Sequence, residues 1–367
     1  MYLKSLGLVN FKNYENAELE FSPRINCFVG DNGVGKTNLL DAIHYLCLCK
    51  SYFNAVDAES ILYGNEFAVI QGEFDVKGKP EEIYCGLQRD KRKIFKRNKK
   101  EYPRLSEHIG LLPLVMISPL DSALILDGGE ERRKFINNVI VQYDRHYLEI
   151  IIRLNRIIAQ RNKLLKDLTD SNANFDTLDI YDEQLVEAGE IIYKVRNEFA
   201  SQLVPVFQKY YNFISGNIEK VELVYQSQLD DGNFKELLIK SRDKDRLFKY
   251  TTIGPHKDDL ILNLFGHNIK KAGSQGQQKT YLVALKFAQF DFIREVSRKL
   301  PVLLLDDVFD KFDEQRVKQL IKLVSEDKFG QIFITHTNRE RMKKVLEDIH
   351  VEHRLFEVKK GKVNLLE

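Results

Sequence analysis

The first hundred residues alternate between apolar and polar positions. Leu6, Leu8 and Phe11 open this pattern, and residues 67–76 and 83–88 repeat it. Successive side chains of a strand point to opposite faces, so a period of two predicts strands with one buried face. The beginning of the chain is therefore predicted to be β-structure.

The middle of the chain changes to a helical period. A first apolar series steps by three or four residues and includes one arginine: Ile136, Ile140, Tyr143, Tyr147, Ile150, Leu154, Ile157, Arg161, Leu164 and Leu168. A second series does the same: Tyr181, Leu185, Ala188, Ile192, Val195, Phe199, Leu203, Val206, Tyr210 and Phe213. They predict two long amphipathic helices joined by a polar turn at 169–176, and Pro205 is expected to end or kink the second. We interpret the pair as an antiparallel helical hairpin in a helical subdomain; an extended coiled-coil arm is the alternative.

Strands return near residue 220 and then alternate with helices. Helices are predicted over 276–298 and 314–326, and the apolar runs PVLLLDD and QIFITHT are predicted to be buried strands. Strands and helices alternate at both ends of the chain, so we expect one α/β domain with an insertion. The predicted boundaries are 1–104 and 245–367 for the α/β lobe and 105–244 for the inserted helical lobe.

Composition narrows the class of protein. Of 367 residues, 43% are hydrophobic and 30% charged, which is typical of a soluble globular protein. The longest apolar stretch, 111–117, is too short to span a bilayer, and the N-terminus does not resemble a signal peptide. The four cysteines, at 27, 47, 49 and 85, show no CxxC spacing and are interpreted as reduced thiols of a cytoplasmic protein. The formal net charge is only +2, so nucleic-acid binding would have to depend on local patches.

The segment GDNGVGKT at 30–37 matches a phosphate-binding loop between a predicted strand and a predicted helix. Glycines allow backbone N–H groups to surround phosphate oxygens, and the helix N-terminus adds partial positive charge. Lys36 is predicted to reach the β- and γ-phosphates, and Thr37 to offer its hydroxyl to Mg²⁺. The alternative is a glycine-rich turn without a ligand.

Such a loop also needs a distant acid. The apolar run before Asp306 and Asp307 predicts a buried strand that delivers Asp306 to the Mg²⁺ shell. Asp307 would then be placed to orient the attacking water. Without the phosphate-binding loop, the same run could be an ordinary strand that ends in a solvated acidic turn.

Two further segments could contribute. GSQGQQK at 273–279 opens a predicted helix with small and amide residues, which would leave N–H groups for an anion; a plain loop and helix cap is the alternative. His336 ends the strand QIFITHT, and a polar residue at that end of a parallel strand faces the ligand crevice. A structural histidine with satisfied hydrogen bonds is the alternative there.

Residues 89–104 form a basic run with nine Lys or Arg and two acids, and Asn98 is a candidate hairpin turn. Such a run can neutralise DNA phosphates without reading bases. The candidate contacts are Lys91, Lys93, Lys96 and Lys99. A solvated hairpin or an edge strand protected by lysines explains the run equally well.

These motifs together resemble the RecF family of bacterial DNA repair proteins, which are relatives of SMC and Rad50. The resemblance covers nearly the whole chain. It includes the N-terminal LGLVNFKNYENAELEF, the segment SPLDSALILDGGEERRKFINN at 118–138, GPHKDDL at 254–260 with GSQGQQK, and DDVFDKFD followed by THTN. The resemblance implies an ABC-type ATPase lobe with an inserted helical lobe.

The resemblance also implies roles for single residues. Eight residues would bind ATP: Gly30, Asp31, Asn32, Gly33, Val34, Gly35, Lys36 and Thr37. Ser274, Gly276 and Gln277 would form the signature that contacts the γ-phosphate bound by a partner subunit, although the sequence reads Ser-Gln-Gly where Ser-Gly-Gly is usual. Lys36, Asp307 and His336 would be catalytic, with Asp307 in place of the glutamate usual in transporter ATPases and His336 as the switch residue. Two alternatives are implied for the position that senses the metal. One is Gln71, which is expected to follow a strand, and the other is the segment 118–121.

The implied function is a DNA-binding ATPase of recombinational repair. ATP and Mg²⁺ would join two heads on single- or double-stranded, gapped DNA, and slow hydrolysis would release them. RecO and RecR are the implied partner proteins, and the loading of RecA is the implied outcome. An ATPase subunit that energises a membrane transporter is a competing function, as is a scaffold that keeps a nucleotide without turnover.

Overall fold

The computed structural model describes residues 1–167, 176–309, 319–320, 323–324, 329–347 and 351–366. They form two compact units. The first comprises 1–121, 213–215 and 285–367, and the second comprises 122–212 and 216–284. The predicted turn at 169–176 lies outside the described residues except for Asp176, and the predicted helix at 314–326 lies largely outside them. No helix in the described part of the chain has the length and apolar composition of a membrane span.

The first unit is built on two six-stranded sheets. The strands of the antiparallel sheet are β1 Tyr2–Phe11, β2 Tyr14–Glu20, β4 Phe67–Val76, β5 Lys79–Gln88, β6 Ile94–Arg97 and β7 Lys100–Glu101. Their order is β2-β1-β4-β5-β6-β7. The strands of the other sheet are β3 Ile25–Val29, β8 Leu114–Ile117, β12 Val302–Asp306, β13 Ile332–His336, β14 His353–Lys359 and β15 Lys362–Leu365. Their order is β15-β14-β3-β13-β12-β8, and all neighbours except β15 and β14 run parallel.

Helix α1, Lys36–Leu48, occupies the core of this unit. It is buried on almost every face, and its apolar residues share one cluster with strands of both sheets. A helix that is buried on nearly all sides lies in the core and not at the surface. The phosphate-binding loop is therefore fixed to the centre of the unit by the helix that follows it. The predicted strands at 67–76 and 83–88 are both confirmed, and the second begins earlier, at Lys79.

The second unit contains helices and a small sheet. Its helices are α2 Ala123–Leu126, α3 Gly129–Ile140, α4 Arg145–Asp167, all but the last three residues of α5 Asp176–Ser215, α6 Phe234–Phe248, α7 Ile269–Ala272 and the first part of α8 Gln275–Ser297. Its strands are β9 Val221–Gln226, β10 Asp259–Leu264 and β11 His267–Asn268, in the order β11-β10-β9. Helix α9, Arg339–Glu347, belongs to the first unit. Short 3-10 helices cover Asp57–Ser60, Leu105–Glu107, Pro119–Ser122, Gln228–Asp231 and Pro255–Lys257.

The predicted helical hairpin is present as the pair α4 and α5. Arg153 bonds to Glu187 and Arg161 to Asp182, so residues further along α4 meet residues earlier in α5. This pairing shows that the two helices are antiparallel.

One prediction about these helices was wrong, and a second was wrong in part. The first apolar series is divided between α3 and α4, because the carboxylate of Asp144 accepts a hydrogen bond from the N–H of Tyr147 and caps a new helix. The second helix does not end at Pro205 but continues to Ser215, while a kink at the proline stays a prediction. Its buried residues continue past the proline, and the ring of Phe207 lies 4.6 Å from that of Tyr281. This packing offsets the lost hydrogen bond, which costs about 3 kcal/mol in an exposed helix.

The unit boundaries also differ from the predicted ones, at 104 and 244. Residues 105–121 belong to the first unit, because β8 within them pairs with β12. Residues 245–284 belong to the second, because β10 pairs with β9. Strand pairing across long stretches of sequence decides both cases, and hydrophobic periodicity does not report it.

Candidate functional site

Four polar segments meet at one edge of the parallel sheet. Strands β3, β13, β12 and β8 are neighbours and run in the same direction. Their carboxyl ends lead into the phosphate-binding loop, His336, Asp306 and the segment 118–121. Because ligands of open α/β sheets bind outside these ends, the topology defines the candidate nucleotide site.

The loop over 30–37 uses glycine where no other residue fits. Gly30 has φ 155°, and a Cβ there would lie 2.3 Å from the carbonyl oxygen of Val358. Gly35 has φ 115°, and a Cβ there would lie 2.4 Å from the side chain of Asn13. Helix α1 begins directly afterwards, and no side chain caps its first turn. The loop thus presents a helix N-terminus of the kind that binds phosphate.

Lys36 is the first residue of α1 and is buried. Its Nζ donates hydrogen bonds to the carbonyl oxygens of Gly30, at 2.7 Å, and Asp31, at 2.8 Å. The ammonium group is therefore held across the loop. Both contacts are to neutral carbonyls, so the charge of Lys36 is available to an anion in the loop.

Asp306 forms the centre of a hydrogen-bonded set at the end of β12. The hydroxyls of Thr37 and Thr335 each donate to its Oδ1 at 2.8 Å. Burial raises the pKa of this carboxyl above its usual value, and the two threonine hydrogen bonds oppose the shift. A hydroxyl beside a carboxylate is the hard oxygen donor set that Mg²⁺ prefers, so Thr37 and Asp306 fit this ion.

Asp307 is the residue after Asp306, and its backbone has a left-handed conformation with φ 46°. Its backbone N–H donates to the Thr335 hydroxyl at 2.9 Å. Its Oδ1 is buried and has no hydrogen-bond partner among the residues that the structure describes. An acceptor without a partner is costly inside a protein, and this one fits a site where a bound water would donate to it or a cation would coordinate it.

His336 is the buried last residue of β13. Its carbonyl oxygen accepts a hydrogen bond from the N–H of Gly30 at 3.3 Å, which joins the strand end to the start of the loop. Its Nδ1 accepts a hydrogen bond from the backbone N–H of Thr337 at 2.9 Å. In the neutral ring the proton is therefore on Nε2, which makes this atom a donor.

The two candidates for the metal-sensing position lie in different places in the first unit. Gln71 lies in the middle of β4, exposed, and its side chain donates to Glu82, so the expectation that it follows a strand was wrong. Asp121 is buried directly after β8, where it contacts Lys286 at 2.6 Å and the hydroxyl of Tyr52 at 2.5 Å. The segment 118–121 is therefore the one at the sheet edge.

Three residues that hold the site were missed from the sequence. Asn13 Nδ2 donates to the carbonyl of Val34 at 2.9 Å, and the hydroxyl of Tyr14 donates to that of Gly35 at 3.0 Å. Both lie beside the turn between β1 and β2. Thr335 is the third. Its identity next to His336 is visible in the sequence, but its role depends on the register that pairs it with Asp306.

The signature segment lies in the second unit, at the start of α8. Gln277 donates its backbone N–H to Ser274 Oγ at 3.3 Å, and its Oε1 accepts from the Ser274 N–H at 2.8 Å. This reciprocal pattern is a capping box. Contrary to the expectation of open N–H groups, the Gln277 N–H is already bonded. Thr280 donates to the carbonyl of Gly276 at 2.8 Å, within the same first turns.

The basic run forms the predicted hairpin. Asn98 and Lys99 both have positive φ, 49° and 68°, which is the two-residue turn that matches strand twist. Lys91 and Lys99 are exposed. Lys96 lies over the ring of Tyr84 at 5.4 Å.

Lys93 does not fit a DNA contact. Its Nζ donates to the carbonyl of Cys49 at 2.7 Å and lies 3.0 Å from a carboxylate oxygen of Asp57. It also lies over the ring of Tyr45 at 5.2 Å. This lysine is part of the packing beneath the hairpin, so only the other three candidates remain.

Known proteins with similar sequences span the whole chain. A family model described as RecF/RecN/SMC N terminal domain matches residues 2–361. A protein of Phocaeicola vulgatus named DNA replication and repair protein RecF is 50% identical over 365 residues, which are 99% of this chain and 98% of that protein. A protein of the same name from Bacteroides thetaiotaomicron is 49% identical, with the same coverage.

Solved structures agree with the sequences. The recombination mediator protein RecF with ATP, of the RecFOR pathway, matches with a TM-score of 0.89 at 30% identity and covers 100% of this chain and 98% of that one. An SMC head bound to the C-winged helix domain of ScpA matches with a TM-score of 0.59 at 16% identity over 100% and 97%, and shares the fold. The ABC-type ATPase head predicted from the motifs is confirmed. The chain belongs to the RecF family of DNA replication and repair proteins.

Proposed function

We propose that this protein is an ATP-driven clamp on DNA that acts in recombinational repair in the cytoplasm. The observation that carries the proposal is the set of Thr37, Asp306 and Thr335 beside the phosphate-binding loop, with the buried Oδ1 of Asp307 next to it. Family membership favours this function over the energising of a membrane transporter.

The residues of the first unit would bind and position ATP. The loop N–H groups and the N-terminus of α1 would bind the phosphates, and Lys36 would leave the loop carbonyls to contact the β- and γ-phosphates. Thr37 and Asp306 would hold Mg²⁺, which supplies positive charge to the phosphate oxygens. Asp307 would accept a hydrogen bond from the attacking water and orient it, while the Nε2–H of His336 would donate to the γ-phosphate.

Two copies of the chain would complete each other's sites. Ser274, Gly276 and Gln277 would contact the γ-phosphate held by the partner copy, after opening their capping box. Since ATP would bind the paired state better than the separate one, it would shift the population toward the dimer. Slow hydrolysis would release it. Single- and double-stranded, gapped DNA is the proposed ligand, with RecR, RecO and the loading of RecA as the proposed context.

Sedimentation and DNA binding, each with and without ATP, test the proposal. Wild type should dimerise and bind duplex DNA only with ATP and Mg²⁺. Lys36→Ala should do neither, because it lacks the cation that contacts the phosphates. Ser274→Arg is the matched variant. It should bind ATP normally but stay monomeric, because the bulky side chain blocks the close approach to the partner's phosphate. If the wild-type protein bound duplex DNA with the same affinity with and without nucleotide, the proposed clamp would be refuted.

The basic hairpin is a proposed contact for duplex phosphates. Charge reversal at Lys91, Lys96 and Lys99, the three remaining candidates, should weaken ATP-dependent binding to all duplex sequences alike. The log–log salt slope should flatten by about 0.9 for each lost phosphate contact. Lys93 is left unchanged, because its reversal would disturb the packing described above. Binding titrations over a range of salt concentrations provide the measurement.

The matched control reverses three exposed lysines of other segments: Lys194, Lys209 and Lys220. It carries the same change of net charge. If both triple variants flatten the salt slope equally, the hairpin makes no specific contact and its lysines only keep the edge strand soluble.

A further inference from the structure

The segment GPHKDDL has two structural acids at its end. Asp258 is buried and accepts hydrogen bonds from Arg196 at 2.7 Å, Tyr225 at 2.5 Å and Ser227 at 2.7 Å. Asp259 accepts hydrogen bonds from Nε and Nη2 of Arg132, at 2.6 and 2.8 Å. These contacts fix the backbone of the segment and leave neither carboxylate for a ligand.

Lys257 is the exposed cation of this segment. Its Nζ lies 4.8 Å from the centre of the Tyr250 ring. It has no carboxylate partner among the described residues, and Arg133, which donates to the carbonyl of Asp258, is a second cation nearby. Partial burial and then the charge of Arg133 lower the pKa of Lys257 below its usual value, and the charge of Asp245 opposes this shift. Two cations placed together favour an anion nearby.

An exposed aromatic pair adjoins this lysine. Helix α6 ends at Phe248, and Lys249 follows with φ 60° and turns the chain. The rings of Phe248 and Tyr250 then lie 5.9 Å apart at an interplanar angle of 27°. Leu247 is 76% exposed, Phe248 49% and Tyr250 42%. About half of the surface of each ring is exposed, so apolar surface is open to a ligand.

The surrounding charge is positive. Lys244 and Lys249 are exposed and, like Lys257, form no ion pair among the residues described. Asp245 in the same stretch is buried and bound to Arg161, which leaves Asp243 as the nearby exposed acid. The patch therefore combines flat apolar rings with cations that lack partners.

We propose that Phe248, Tyr250 and Lys257, with Lys249 beside them, form a binding site for single-stranded nucleic acid. The rings stack on unpaired bases, and the lysines contact the phosphates that join them. Bases in a duplex are stacked on each other and present only their edges, so these rings discriminate in favour of single strands. An apolar protein partner is the less suitable occupant, because the cations around the rings would be left without anions.

This site rests on the proposed function only in taking nucleic acid as a ligand of the protein. It lies within one unit and needs neither ATP nor a second copy. Lys36→Ala should therefore keep its affinity for single strands while it loses ATP-dependent duplex binding. The two proposals can then fail separately.

Fluorescence anisotropy with a labelled oligo-dT single strand, without nucleotide, tests the site. Phe248→Ser and Tyr250→Ser should each weaken binding of oligo-dT roughly tenfold. Tyr250→Trp should bind oligo-dT as wild type does, because stacking requires an aromatic ring and not the tyrosine hydroxyl. Lys257→Gln should flatten the log–log salt slope by about 0.7. Binding of a duplex of equal length with ATP should not change in these variants.

Controls use the same unit. Phe265→Asn removes another exposed ring, and Lys235→Gln another exposed lysine; both should bind oligo-dT as wild type does. A double variant, Phe248→Ser with Tyr250→Ser, that keeps wild-type affinity for oligo-dT overturns the proposal. If that variant instead changes only the sedimentation of the protein, the patch is a protein interface and the proposal is likewise wrong.

Discussion

Asp307→Asn should slow ATP hydrolysis by about 10²–10⁴-fold and leave ATP binding unchanged. Asparagine has the same shape and tolerates the left-handed backbone of this position, where φ is 46°. The hydrogen bond from its N–H to Thr335 would remain. What is lost is the negative charge of the buried Oδ1, which we propose orients the attacking water. Single-turnover phosphate release, with nucleotide binding measured separately, provides the test.

Two variants of neighbouring residues separate the roles. Asp306→Asn should weaken binding of the Mg²⁺–nucleotide complex itself, because this carboxylate lies against Thr37. Thr335→Val removes the hydroxyl that bonds to both Asp306 and Asp307, and should lower binding and turnover together. Normal turnover by Asp307→Asn would assign the orientation of the attacking water to a group other than Asp307.

The phosphate-binding loop and the end of β12 could be predicted because their chemistry is local. Eight consecutive residues define the loop, and an apolar run before two acids defines the strand. The sequence did not reveal that Thr335 joins Asp306 to Asp307, since this depends on a strand register. Asn13 and Tyr14 were missed for the same reason: they reach the loop from a turn that precedes it by some twenty residues.

The helical part was predicted in type but not in detail. Apolar spacing stays in phase across Asp144, so the pattern could not show that this side chain begins a new helix. At Pro205 the local rule favours a break, and tertiary packing of Phe207 outweighs it. The single arginine in the first apolar series was the one visible sign of a buried polar network.

Arg161→Met should destabilise the second unit by about 3–5 kcal/mol. Arg161 is 0% exposed and donates to Asp182 at 2.6 Å, Asp245 at 2.6 Å and Thr251 at 3.0 Å. Methionine keeps much of the volume but removes the charge. Asp182 retains Arg242, whereas Asp245 would remain buried with only the neutral donors of Thr252 and Ser241 among the described residues.

Hydrogen exchange in peptides of α4 and α5 provides the measurement, because it reports the opening of one unit in a two-unit chain. Arg153→Met is the matched control. It lies eight residues earlier on the same helix and also pairs with α5, through Glu187, but both partners are exposed. Its loss should cost less than about 1 kcal/mol. Adding Asp245→Asn to Arg161→Met should recover part of the stability, because the uncompensated charge is removed. Equal protection in the two arginine variants would show that the buried charge of Asp245 is stabilised by its neutral donors alone.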